Sequence, residues 1–100
     1  MPKLLIEVNV GNEPQKSGIP RDDTDGFVNE CKARFGPSVV GLMCVPPLDQ
    51  DPRPHFLWLA NRAARHGLPV ISMGMSADFE IAIACGATWV RIGTAIFGAR

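Results

Sequence analysis

Along residues 4–10, Leu4, Ile6, Val8 and Val10 fall on one side of an extended chain and Leu5, Glu7 and Asn9 on the other. That is the period of two of a β-strand. Residues 11–25 then carry turn chemistry. A helix is predicted from Thr24 or Asp25 as N-cap to Phe35, with Phe27, Val28, Cys31 and Phe35 on one stripe and Gly36-Pro37 as its stop. Residues 38–45 read as the next strand, closed by Pro46-Pro47. A second helix is expected over residues 54–66, capped by Gly67, and a third strand over 69–75. A third helix follows over 77–85, behind Ser76 and ending at Gly86, and a fourth strand over 89–97.

The resulting order is βαβαβαβ, the α/β pattern of parallel strands joined by right-handed crossovers. No Gly/Ser linker or charge block divides the 100 residues, so one domain is expected over 1–100. Both faces of the strands in a doubly wound sheet are apolar, whereas this first strand offers Glu7 and Asn9 and the last offers Arg91, Gly93 and Thr94. Polar groups toward strand C-termini favour a piece of a (β/α)8 TIM barrel, whose sites gather at that rim. A complete barrel takes roughly 200 to 250 residues. Four strands therefore predict a partial domain with open sheet edges.

Composition narrows the function. Ten basic residues balance ten acidic ones, and the three lysines, Lys3, Lys16 and Lys32, are scattered, which leaves no footprint for nucleic acid or an anionic membrane. No apolar run approaches the roughly 20 residues of a spanning helix. The N-terminus lacks the signal-peptide pattern, so a cytoplasmic location is expected. Cys31, Cys44 and Cys85 have no metal or disulfide spacing and read as small buried hydrophobes.

The segment 72–100 carries the most chemistry. Ser76 stands between a strand end and a helix start, where its hydroxyl can cap the helix or bind phosphate. Arg91 lies between Val90 and Ile92 and needs a partner, a carboxylate such as Glu7 or Asp78 being the ordinary one. Gly93 and Thr94 add close backbone approach and a hydroxyl. Lys16 reads as a loop residue paired with Glu13, Met43 or Cys44 as pocket lining or core filler, and His55 and His66 as surface or capping residues.

Four motifs in order, VNVGNEPQKSG, GLMCVPP, SMGMSADFE and VRIGTAIFGAR, resemble the pyridoxal phosphate homeostasis proteins, single-domain relatives of the alanine racemase barrel. The resemblance spans nearly the whole chain and corresponds to the C-terminal half of those proteins. It implies a pyridoxal 5'-phosphate (PLP) carrier, with Ser76, Gly93 and Thr94 at the cofactor phosphate and Arg91 at the pyridine nitrogen. Met43, Met73 and Gly74 would surround the ring, and Asn9 and Lys16 would stand at the rim. A guanidinium there keeps the ring nitrogen unprotonated, which suits a carrier better than a transaminase. The lysine that bonds the cofactor covalently comes in this family from an early strand, which these motifs do not include. A racemase fragment is the enzymatic alternative; racemising relatives use a tyrosine, and this chain has none. The other alternative is a partner-dependent fragment with no independent function, and the expected partners are PLP and either an N-terminal half-barrel or a second copy.

Overall fold

The computed structural model describes residues 3–14 and 16–90. Among these residues, four strands, β1 (Leu4–Asn9), β2 (Ile19–Pro20), β3 (Val39–Met43) and β4 (Val70–Ser72), and three helices, α1 (Thr24–Phe35), α2 (Arg53–Arg65) and α3 (Phe79–Ala84), follow in the order β1-β2-α1-β3-α2-β4-α3, with two strands before the first helix where one was expected. All pairings are parallel and the sheet order is β2-β1-β3-β4. Ser72 forms a further parallel bridge to Trp89, and Met73 N–H donates to Trp89 O at 3.1 Å. The expected strand 89–97 thus begins where expected, but its continuation beyond Val90 lies outside the described residues.

Register separates the two faces. Leu5, Glu7, Gly41, Met43, Val70 and Ser72 share one face, because Leu5 pairs with Gly41, Glu7 with Met43, Gly41 with Val70 and Met43 with Ser72. The other parity, Ile6, Val8, Leu42, Cys44 and Met73, is buried against Val28 of α1, Phe56, Leu59 and Ala63 of α2, and Ala82 of α3. One face of the sheet therefore carries the helices and the core.

Several boundaries differ from those the sequence predicts. Strand β2 comes from the segment read as turn: Gly18, at φ +99°, turns the chain so that Ile19 pairs with Val8. On α1 the buried stripe is Thr24, Val28 and half-buried Cys31, spaced i, i+4 and i+7. Phe27 and Phe35, expected on that stripe, stay 40% and 48% exposed. The Thr24 hydroxyl donates to Pro20 O at 3.1 Å from inside the helix, and Asp23 is the N-cap. Of the three cysteines only Cys44 is fully buried; Cys31 and Cys85 are half-buried.

Gly26 sits in α1 with nothing within 4 Å of where a Cβ would stand. Gly26→Ala is expected to stabilise the chain by about 0.5–1 kcal/mol through helix propensity, read as a higher urea midpoint. A lower midpoint would show that α1 packs more tightly there than its surroundings indicate.

An ion cluster ties α1 to α2. Asp25 accepts from Arg62 and faces Arg65 at 3.7 Å and His66 Nε2 at 2.7 Å, while Lys32 Nζ donates to His66 O. The His66 hydrogen bond, followed by the neighbouring arginines, holds the Asp25 carboxyl below its ordinary pKa. Folding that lowers a carboxyl pKa contributes stability above the unfolded value, near 3.8, and loses it as pH falls through the folded one. The stability gap between the native chain and Asp25→Asn should therefore close on acidification below about pH 4. A gap independent of pH would mean that Asp25 acts through packing alone.

Candidate functional site

The strand C-termini and the helix-free face form the candidate site. Strand β1 ends at Asn9, whose side chain folds the next turn: Nδ2 donates to Glu13 O at 2.7 Å and Oδ1 accepts from Glu13 N–H at 3.0 Å. Asn12 in that turn has φ +51°, a left-handed value that asparagine tolerates. Lys16 Nζ lies 3.8 Å from Glu13, the pairing expected from sequence. Asn9, Glu13, Lys16 and Asp22 border a polar depression of about 360 Å³. This loop meets the one after β3 closely: a Cβ on Gly11 would stand 2.4 Å from Pro47 Cγ.

On the helix-free face, Leu5, Met43, Ser72, Thr88, Trp89 and Val90 line a concavity of about 530 Å³, a size within the roughly 300–1,000 Å³ of small-molecule sites. Met43 is half-buried there, whereas Cys44, on the opposite parity, is core. Trp89 is 53% exposed on this face. Alternation over residues 4–10 puts Leu5 on the side of Glu7 and Asn9, and pairing with Met43 brings Ser72 to the same face. Glu7 itself accepts from Ser17 Oγ at 3.1 Å.

Past β4 the chain turns sharply. Gly74 has φ +100°, and a Cβ there would come within 2.6 Å of Ala82 Cβ, so this glycine lets α3 close onto the strand end. Asp78 Oδ1 then accepts from Met75 N–H at 2.8 Å, and Asp78 N–H donates to Met75 O at 3.0 Å. Asp78 is thereby the residue before the first turn of α3, which starts at Phe79 and not at residue 77. Asp78 takes the N-cap position without a side-chain bond into the helix, and Ser76, considered for that position, lies two residues before it. Ser76 is exposed within that turn. Met73 is fully buried in the core on the helix side. Arg91, Gly93 and Thr94 lie outside the described residues.

A second polar cluster flanks the same end of the sheet. Arg21, in the turn leading into α1, donates through Nε to Val10 O and through Nη2 to His55 Nδ1 at 2.7 Å, while its backbone N–H reaches Asn12 Oδ1 at 3.3 Å. Its guanidinium lies 4.7 Å over the Trp58 ring, and Arg62 lies 5.0 Å over the same ring. His55 Nε2 in turn meets Gln50 Oε1 at 2.8 Å. His55 is thus half-buried and doubly bonded, a departure from the surface or capping role that its local sequence implies. Among the described residues, no three His, Cys, Asp or Glu side chains gather as metal ligands, and no helix is long and apolar enough to cross a membrane.

Comparison with known proteins agrees with this geometry. The pyridoxal phosphate homeostasis protein of Aquifex aeolicus is 42% identical over 106 residues, covering 97% of this chain and 46% of its own length. Its human counterpart is 38% identical over 112 residues, covering 98% and 40%. PipY of Synechococcus elongatus without PLP superposes with a TM-score of 0.84 at 32% identity, covering 97% of this chain and 50% of PipY. PipY with PLP bound superposes at 0.73 and 29% identity. The chain spans about half the length of these relatives. The sequence profile of the family described as alanine racemase, N-terminal domain, matches residues 2–100, and the chain belongs to that family.

Proposed function

We propose that this chain binds pyridoxal 5'-phosphate as the C-terminal half of a (β/α)8 barrel, one partial domain over residues 1–100, and serves PLP homeostasis in the cytoplasm. The observation that carries the reading is the similarity of nearly the whole chain to homeostasis proteins and to a structure solved with PLP bound. The residues present fit the group. A phosphate asks for hydroxyl and backbone N–H donors, and the turn bearing exposed Ser76 stands at the C-terminal end of β4. A flat aromatic ring asks for a concave, partly apolar wall, and Met43 with its neighbours lines one.

In this reading Ser76, Gly93 and Thr94 hold the phosphate and Arg91 faces the ring nitrogen, donating a hydrogen bond without lending it a proton. Met43 borders the ring. Asn9 shapes the rim through its bonds to Glu13. Gly74 acts through backbone conformation and Met73 from the core beneath. When bound, PLP supplies an aldehyde that captures amines and a ring that withdraws electrons. An N-terminal half-barrel or a second copy would cover the β2 edge, which has no outer neighbour among the described residues, and the concave face.

The direct test titrates the chain with PLP and, separately, with inorganic phosphate. Ser76→Ala is expected to weaken both by about tenfold, the effect of one lost charge-assisted hydrogen bond of roughly 1.5 kcal/mol. Arg91→Met should shift the absorption of bound PLP while leaving phosphate affinity unchanged. Unchanged binding by Ser76→Ala would remove the phosphate assignment. Borohydride reduction followed by peptide mapping then reports whether Lys16 or any other lysine bonds the cofactor.

A further inference from the structure

Arg21 and His55 are 34 residues apart in sequence, yet their side chains join three separate segments at the rim. Arginine has only donors, so a guanidinium nitrogen 2.7 Å from His55 Nδ1 requires that nitrogen to be an unprotonated acceptor. The ring proton then belongs on Nε2, which donates to Gln50 Oε1 at 2.8 Å. Only the neutral Nε2–H form satisfies both contacts. A proton on Nδ1 would set donor against donor and place a second positive charge beside the guanidinium. His55 also stands in the first turn of α2, where the helix dipole disfavours a cation.

From these contacts we propose that Arg21 and His55 form a pH-gated latch. With His55 neutral, Arg21 clamps Val10 and Asn12 of the loop after β1 to the start of α2; protonation of His55 frees that loop.

The groups around the imidazole oppose one another. Burial and Arg21 disfavour the charged ring, while Val10 O, Asp51 in the loop before α2 and Glu13 in the loop after β1 favour it. Burial is the largest of these influences, and the balance lowers the His55 pKa from its ordinary 6.5. The sign follows from linkage. Below about pH 6.5 the unfolded chain binds a proton that the latched form resists, so the latch is complete above that pH and weakens as pH falls. The inference does not depend on cofactor binding.

The test is nitrogen-detected NMR of both histidines in the full chain, combined with amide exchange at residues 10–13 corrected for its intrinsic pH dependence. His55 should be the Nε2–H tautomer at pH 7.5 and titrate below about 6.5. Protection at residues 10–13 should fall at least about tenfold as His55 titrates, an opening of a local unit. His55→Asn keeps an acceptor near Nδ1 and cannot take the proton, so its loop protection should not vary with pH. An Nδ1–H tautomer, a midpoint at or above 6.5, or loop protection indifferent to pH would overturn the proposal. These readouts on the native chain decide it even where the variant fails to fold.

Discussion

Gly41→Ala is expected to unfold the chain at a urea concentration where the native sequence remains folded. Gly41 lies in β3, which pairs on both sides, Leu5 of β1 on one and Val70 of β4 on the other. A Cβ at Gly41 would stand 2.1 Å from Val70 O, 2.6 Å from Val70 Cβ and 2.8 Å from Val70 C. Two of those atoms are backbone, so no rotamer change relieves the contact and the β3–β4 pairing must part. Overpacking costs about 1–3 kcal/mol where side chains can adjust; here the loss should reach at least about 3 kcal/mol, a large fraction of a small domain's stability. Gly67→Ala is the comparison. This glycine has a positive φ of +66° but nothing within 4 Å of a Cβ, so only the backbone strain of about 1–2 kcal/mol applies. Equal urea midpoints for the two variants would contradict the close approach of β4 to β3.

Phe56→Ala should have the second large effect. Phe56 is fully buried on α2 and belongs to the cluster that includes Leu42, Leu59 and Met73. Truncation removes an aromatic ring from the layer between helices and sheet, at a cost of about 3–5 kcal/mol for transfer and cavity together. The adjacent Leu57 is 54% exposed. Leu57→Ala should change stability by no more than about 0.5 kcal/mol, so the pair separates core packing from helix propensity. Thermal or urea unfolding of both variants measures the difference. A small effect at Phe56 would mean that the core refills the space, as loosely packed layers do.

These effects concern the part of the fold most open to reading from sequence. Alternation over residues 4–10 placed Ile6, Val8 and Val10 against the helices because a strand has one period and little freedom. The start of α3 was harder. Ser76 is a good capping residue by type, but a turn in which Asp78 Oδ1 accepts from Met75 N–H sets the N-cap two residues later, and such a local hydrogen bond has no hydrophobic signature. Phe27 and Phe35 were misplaced for a related reason, since an apolar side chain reports a preference for burial and not the presence of a surface to pack on. Arg21 and His55 were harder still. Nothing near either residue signals a partner 34 positions away, and only the crossover of α2 beside the β1 loop brings them together. On the candidate site, the strand-end position of Asn9 followed from periodicity, whereas the choice of Met43 over Cys44 for the concave face came from the strand register. The roles of Ser76, Arg91, Gly93 and Thr94 rest on motif resemblance, because phosphate and ring-nitrogen contacts leave no periodic trace.

Glu7 gives the helix-free face a property that its apolar neighbours would not have. It pairs in register with Met43, and Met43 with Ser72, so a carboxylate stands in the same row as the side chains that line the concavity. Among the described residues, Ser17 supplies a hydrogen bond to that carboxylate. A flat apolar sheet pressed onto this row would strip the carboxylate of water without replacing it, a cost of several kcal/mol. Glu7 thus acts as a gatekeeper against indiscriminate sheet stacking. The same charge selects for covers that bring their own donors, and so makes the face discriminating where a row of leucines would make it sticky.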